Sequence, residues 1–228
     1  MENYQSQEKI LLAVDCIIFG FDKKNLKILL IKRDFEPERG RWSLMGGFVK
    51  KDETLDEAAN RVLHHLTGLH NLYLEQLRAY SEIDRDPVER TVSVSYYALI
   101  DANVAEGELN QDFSAKWHNI HEAPNLIFDH ADMVANAMST LRRRALTKPI
   151  GFELLPEKFT MRQLQTLYEA ILDEKLDKRN FINKINALDI LVKTDEKDMK
   201  SSRKGSFLYR FDQEKYNKKV QECFAFKL

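Results

Sequence analysis

The sequence predicts an α+β chain in two parts: strands around one capped helix, then two capped helices closed by a β-hairpin. Three observations carry that reading. Apolar, β-branched runs pair off on either side of a helical segment in the front half. The breaker cluster Thr147-Lys148-Pro149-Ile150-Gly151 then interrupts the pattern. Beyond it, two helix-capping signals follow in quick succession. With 228 residues, 43% of them hydrophobic, the chain has material for one large core or two modest ones.

Taken in order, residues 10–19 and 26–32 read as strands joined by the hairpin turn Asp22-Lys23-Lys24-Asn25. A helix starts at Thr54. Thr54 and Glu57 have capping-box spacing, and Leu55, Ala59, Val62, Leu63 and Leu66 form its inward face. Residues 72–83 and 91–100 are two further strands, turning around Asp86-Pro87. A second helix over residues 129–146 sets Val134, Met138 and Leu141 on one face, and Arg142-Arg143-Arg144 complements its dipole. Residues 1–9 are polar and carry acids, unlike a signal peptide. The run 10–19 is broken by Asp15 and too short to span a bilayer. Cys16 and Cys223 sit in apolar surroundings without partner spacing, so free buried thiols and a cytoplasmic location are expected.

The breaker cluster sets the expected domains at residues 1–148 and 149–228. In the second, Thr160 and Gln163 repeat the capping box, with Phe159 and Leu164 as its hydrophobic staple and Leu164, Leu167, Tyr168 and Ile171 as the buried stripe. Asp177 caps a third helix, with Leu176 and Phe181 as staple and Phe181, Ile185 and Leu188 facing inward. Strands at 190–193 and 206–211 flank a polar loop, 194–205. Two helices, a tight turn and a hairpin make a winged helix-turn-helix.

Net charge is −1, but it is unevenly spread. Residues 1–150 hold 19 Lys and Arg against 23 acids, whereas residues 178–210 hold 9 against 4. On the third helix this leaves Lys178, Arg179, Asn180, Asn183, Lys184 and Asn186 toward solvent. Arg bonds guanine bidentately, Asn bonds adenine and Lys neutralises phosphate, so the face suits the major groove of double-stranded DNA. Lys197, Lys200, Arg203 and Lys204 decorate the wing loop, and Arg162 at the first helix start is a phosphate clamp candidate. A solvated polar face, or a protein-binding winged helix, has the same composition.

One segment is more specific. Arg41-Trp42-Ser43-Leu44-Met45-Gly46-Gly47-Phe48-Val49, then Glu53, Arg61, Leu63 and Gly68-Leu69, resembles the Nudix box, with Met45 where the family usually has Pro. The resemblance implies the Nudix fold, an α/β/α sandwich, over roughly residues 8–147. It also locates what is missing. The family's three Glu positions after Arg61 hold Val62, His65 and Leu66. In Nudix hydrolases those acids bind Mg²⁺ or Mn²⁺, and hard cations require several anionic oxygens. No metal, no cofactor and no catalytic residue are therefore expected. His64 and His65 point about 100° apart on a helix and do not converge on one ion. The family's substrate cleft remains, with Arg33, Arg41, Trp42, Glu53 and Arg61 as candidate effector-binding residues. Each has a plain alternative: Arg33 as a solvated strand end, Trp42 as core, and Glu53 with Arg61 as a salt bridge that shapes the loop.

Trp117, Phe128-Asp129-His130, the run from Phe159 to Ala170 and Arg179-Asn180-Phe181 extend the likeness over almost the whole chain, which resembles the Nudix-related transcriptional regulators. That family pairs an inactive Nudix domain with a C-terminal winged helix. The chain is most similar to its arabinose-responsive members. The resemblance implies a homodimer on a palindromic operator, controlled by a sugar effector such as L-arabinose. The alternative is a hydrolase of nucleoside-diphosphate derivatives with atypical metal ligands.

Overall fold

A computed structural model describes all residues except 1–2, 71, 106, 108, 110–113, 200–203 and 222–228. In chain order the elements are β1 (Leu11–Phe21), β2 (Leu26–Lys32), β3 (Trp42–Ser43), β4 (Met45–Phe48), α1 (Leu55–Thr67), β5 (Glu75–Tyr80), β6 (Thr91–Asp101), α2 (Ala102–Ala105), β7 (Lys116–Asn119) and α3 (His130–Thr147). Then follow β8 (Phe159–Thr160), α4 (Met161–Leu172), α5 (Lys178–Ala187), β9 (Leu191–Asp198), β10 (Ser206–Phe211) and α6 (Gln213–Gln221). The chain divides into two compact units. One is Met1–Phe19, Ile28–Ala98 and Val104–Ala137; the other is Gly20–Lys27, Leu99–Asn103 and Met138–Leu228. The division falls within α3, ahead of the breaker cluster. Among the described residues, no helix is long and apolar enough to cross a membrane.

The front strands form one sheet in the order β3-β2-β1-β6-β5, with β4 also on β1 and β7 on β2. β1 is central, so its residues from Ala13 onward are buried without alternation. The turn into β2 is held by Asp22, whose Oδ1 accepts the Lys24 and Asn25 amides at 3.0 and 2.8 Å. β5 is shorter than the expected strand, and β7 is an element that hydropathy did not mark.

Both halves of the capping box on α1 form, and Gly68 ends the helix in the left-handed region at φ 80°. Its buried residues are Ala58, Ala59, Val62, Leu63 and Thr67. Leu55 and Leu66, expected inside, are only half-buried. The helix turns Ala58 inward because it lies close to β4. A Cβ on Gly47 would sit 2.7 Å from Val62 Cγ2.

In the second unit, β8, β10 and β9 form a three-stranded antiparallel sheet. The α4 capping box forms at Thr160 and Gln163, and Asp177 accepts the Asn180 amide at 2.8 Å to cap α5. Leu164, Leu167, Tyr168, Ile171, Phe181, Ile185 and Leu188 are the buried core, with Tyr168 edge-on to Phe181 at 5.4 Å. β9 continues five residues further than the expected strand, to Asp198. Its pairing with β10 and the Thr194 hydroxyl bond to the Leu208 carbonyl (3.0 Å) sustain a strand whose side chains are largely polar. α6 was not anticipated, although Asp212 accepts the Lys215 amide at its start.

Candidate functional site

The first unit holds a cavity of about 230 Å³ between β1, β4, the β5–β6 loop and the start of α3. Its walls differ in chemistry. Leu66 and Phe48 line one side, and Val62 is buried at 3% exposure behind Gly47. Asp15, Arg85 and His130 line another. At the mouth, the Arg33 guanidinium lies 3.7 Å from the Phe35 ring centre and 5.3 Å from that of Phe128, and its Nε donates to the Phe35 carbonyl. Burial lowers the Arg33 pKa, and the carboxylates of Asp86 and Asp15 oppose that.

The charged wall is a connected network. Ser93 Oγ donates to Asp15 Oδ2 at 2.6 Å. Arg85 donates Nε and Nη2 to the two oxygens of Asp129 at 2.8 and 2.7 Å and lies 3.8 Å from Asp15. Burial works against the Arg85 charge, but the bonds to Asp129 and the charges of Asp129 and Asp15 outweigh it and raise its pKa. The Leu44 amide donates to His130 Nδ1 at 3.2 Å, which leaves the proton on Nε2, 3.5 Å from Asp15 Oδ1. Burial holds the His130 pKa below its ordinary value despite the carboxylates of Asp15 and Asp129, so the ring is neutral at pH 7.

At the box, Arg61 donates Nε to Glu53 Oε2 at 2.7 Å and Nη2 to the Phe48 carbonyl at 3.0 Å, while Glu53 accepts the Lys50 amide at 2.8 Å. The Arg61 hydrogen bond is the main cause that holds the Glu53 pKa down at about 2. These two charges brace the β4–α1 loop. Glu57 caps α1, and Asp56 accepts the Tyr96 hydroxyl at 2.7 Å. His64 and His65 are exposed. Among the described residues no group of three or more His, Cys, Asp or Glu is placed to hold a metal ion. A valine, a histidine and a leucine at the three acid positions do not fit a hard divalent cation.

Of the residues expected at the effector site, Arg33 lines the cavity. Arg41 pairs with Glu38 at 2.7 Å, and Trp42 packs edge-on to His118 at 4.5 Å with Lys32 over its ring. Neither they nor Glu53 and Arg61 are in its lining. The aromatic and buried groups that do line it were not chosen from the sequence. Asp15, which interrupts an apolar strand, was the available signal.

In the second unit, Lys178, Arg179, Asn180, Asn183, Lys184 and Asn186 all lie exposed on α5, opposite Phe181 and Ile185. Arg162 is exposed on α4. On the hairpin, Lys193 and Lys197 sit over the Phe207 ring at 3.5 and 4.7 Å, and Lys204 is exposed. Lys200 and Arg203, expected on the wing, and Cys223 lie outside the described residues; Cys16 is a buried free thiol. The α5 face offers bidentate and amide donors at spacings that suit a DNA groove.

Comparison with known proteins matches residues 9–137 to the NUDIX domain and residues 151–211 to the NrtR DNA-binding winged helix domain. The chain is 33% identical over 211 residues to the ADPR responsive transcriptional repressor NtrR of Acinetobacter baylyi, covering 91% of this chain and 84% of that protein. It is 38% identical over 129 residues to an ADP-ribose pyrophosphatase of Methanocaldococcus jannaschii, covering 55% of this chain and 72% of the relative. Shewanella oneidensis NrtR complexed with a 27mer DNA aligns with a TM-score of 0.82 at 27% identity, over 94% of this chain and 97% of that one. The NUDIX domain of the same protein, complexed with ADP ribose, aligns at a TM-score of 0.52 and 28% identity, over 61% and 94%. The expected likeness to arabinose-responsive members is corrected by these relatives, since the whole-chain match is a repressor responsive to ADPR. With a Nudix domain, an NrtR winged helix and a repressor matched along most of its length, the chain belongs to the NrtR family of Nudix-related, DNA-binding transcriptional regulators.

Proposed function

We propose that the chain is an ADP-ribose-responsive repressor, with residues 1–148 sensing the effector and residues 149–228 binding a palindromic operator as a homodimer. The observation that carries the effector reading is the composition of the cavity. Phe35, Phe48 and Phe128 offer faces to an adenine ring, Arg33 offers a fork to a diphosphate, and the Asp15 and Asp86 carboxylates accept ribose hydroxyls. L-arabinose has neither the ring nor the charge. The relatives' ADPR response and ADP-ribose complex support the same ligand. Val62, His65 and Leu66 leave the bound molecule without a metal to cleave it, so the chain binds and does not hydrolyse.

On the DNA side, Arg179, Asn180 and Asn183 read bases, while Arg162, Lys178, Lys184, Lys200, Arg203 and Lys204 neutralise phosphates. Fluorescence anisotropy on the gene's own upstream DNA tests the whole reading. Affinity falls steeply with salt, changes on adding ADP-ribose and is indifferent to L-arabinose. Arg179→Ala weakens operator binding by about 1–3 kcal/mol. The similarity to an ADP-ribose pyrophosphatase favours one rival, hydrolysis. Mg²⁺-dependent release of AMP from ADP-ribose at ordinary enzyme rates would establish that rival and overturn the sensor.

A further inference from the structure

Helix α3 is bonded to the cavity wall at one end and to the helix-turn-helix at the other. At its start, the Asp129 carbonyl accepts the Met133 amide at 3.1 Å, and the Asp129 carboxylate holds Arg85 through two hydrogen bonds. Arg85 lines the cavity, and its side chain is only 3% exposed. His130, the first residue of the helix, is fixed by the Leu44 amide. About three turns on, Arg142 donates Nε to the Ile171 carbonyl at 3.0 Å and places Nη2 3.8 Å from Asp173. Asp173 is the left-handed cap of α4, at φ 60°, from which the chain turns toward α5. Between these ends α3 is continuous helix from His130 to Thr147.

We propose that Arg85 and Asp129 form the switch through which the effector acts on DNA binding. An anionic group in the cavity draws the Arg85 fork away from Asp129, and α3 relays the change through Arg142 to the α4–α5 turn. The proposal rests on the ADP-ribose reading above. A ligand shifts an equilibrium only by its differential affinity for the two states. Exchange of partners supplies that difference, because guanidinium matches a phosphate as well as a carboxylate and the two donors now on Asp129 serve one anion at a time. The displaced carboxylate is not stranded. Asp129 is 18% exposed and sits at a helix N-terminus, where the dipole favours negative charge. Arg142 ties α3 to the backbone that ends α4, so a shift of α3 reaches the turn that orients the recognition helix.

The test uses the full chain and its operator, with Asp129→Asn at one end of α3 and Arg142→Met at the other. Operator affinity is measured with and without ADP-ribose, and ADP-ribose affinity by calorimetry. In the wild type the effector changes operator affinity by about 5–150-fold. In both variants the operator still binds within about threefold of wild type; ADP-ribose binds within about threefold in Arg142→Met and more tightly in Asp129→Asn, where Arg85 has lost its competing anion. In both the effector-induced change shrinks below about twofold, and the operator's effect on ADP-ribose affinity shrinks equally, as linkage requires. A wild-type-sized change in either variant overturns the switch. If Asp129→Asn does not fold, Arg142→Met decides, since its site is 42% exposed and is not part of the cavity lining. A wild-type protein that binds no ADP-ribose overturns the effector reading itself, so the two failures are distinguishable.

Discussion

The two walls of the cavity differ in charge. On the α1 side, where Nudix enzymes carry their metal-binding acids, Val62 is packed against Gly47 and Leu66 faces the cavity. On the β1–α3 side, Asp15, Arg85 and His130 stay buried, and the half-buried Asp129 holds Arg85 through two hydrogen bonds. Buried charge is expensive and is retained only when each group finds partners. The difference shows which chemistry this scaffold keeps. Two of the three positions where the Nudix box has acids, Val62 and Leu66, carry hydrocarbon here, and the groups that shape and polarise the pocket remain.

The comparison is broken most severely by Arg85→Met, which leaves Asp129 and Asp15 without their cation. Urea unfolding is expected to show a loss of about 3–5 kcal/mol. On the apolar wall, Gly47→Ala drives a methyl into Val62 and costs about 1–3 kcal/mol by the same assay. A third test uses pH. Burial lowers the His130 pKa in the folded chain, so below the ordinary value of 6.5 the unfolded chain takes up a proton that the folded one refuses. Stability is therefore intact above pH 6.5 and falls as pH drops beneath it, by at most about 1.4 kcal/mol per pH unit from this group. His130→Gln removes that part of the slope. The smallest effect belongs to Leu66→Glu, which restores one carboxylate. Stability is expected to change by about 1 kcal/mol or less, and an assay with ADP-ribose and Mg²⁺ is expected to show no turnover, because Val62 and His65 supply no carboxylate and Glu53 remains committed to Arg61.

Local signals made the framework readable. The capping residues Thr54, Thr160 and Asp177 fixed three helix starts, because each satisfies backbone donors within its own turn. The Gly46-Gly47 pair and the replaced acids on α1 were equally plain. The contents of the cavity were not, since Phe35, Arg85 and Phe128 converge from three loops and none stands in a periodic pattern. Arg142 carries the same limit. Its sequence context reads as a dipole complement, and only the packed structure gives it the Ile171 carbonyl. The wing was read too short because β9 is held by cross-strand bonds rather than by an apolar face.

Gly46 pairs with Asp15 across β1 and β4, and a Cβ on it would come within 2.3 Å of Asp15 Oδ1. The vacancy at one position and the carboxylate at the other thus occupy a single volume, and neither is free to vary alone. Engineering of this pocket must treat them as one site. Gly46→Ala by itself displaces the acid from Ser93 and Arg85, whereas combining it with Asp15→Ala removes the steric conflict. The penalties of the two substitutions will then be non-additive, a signature that a double-mutant cycle reads directly.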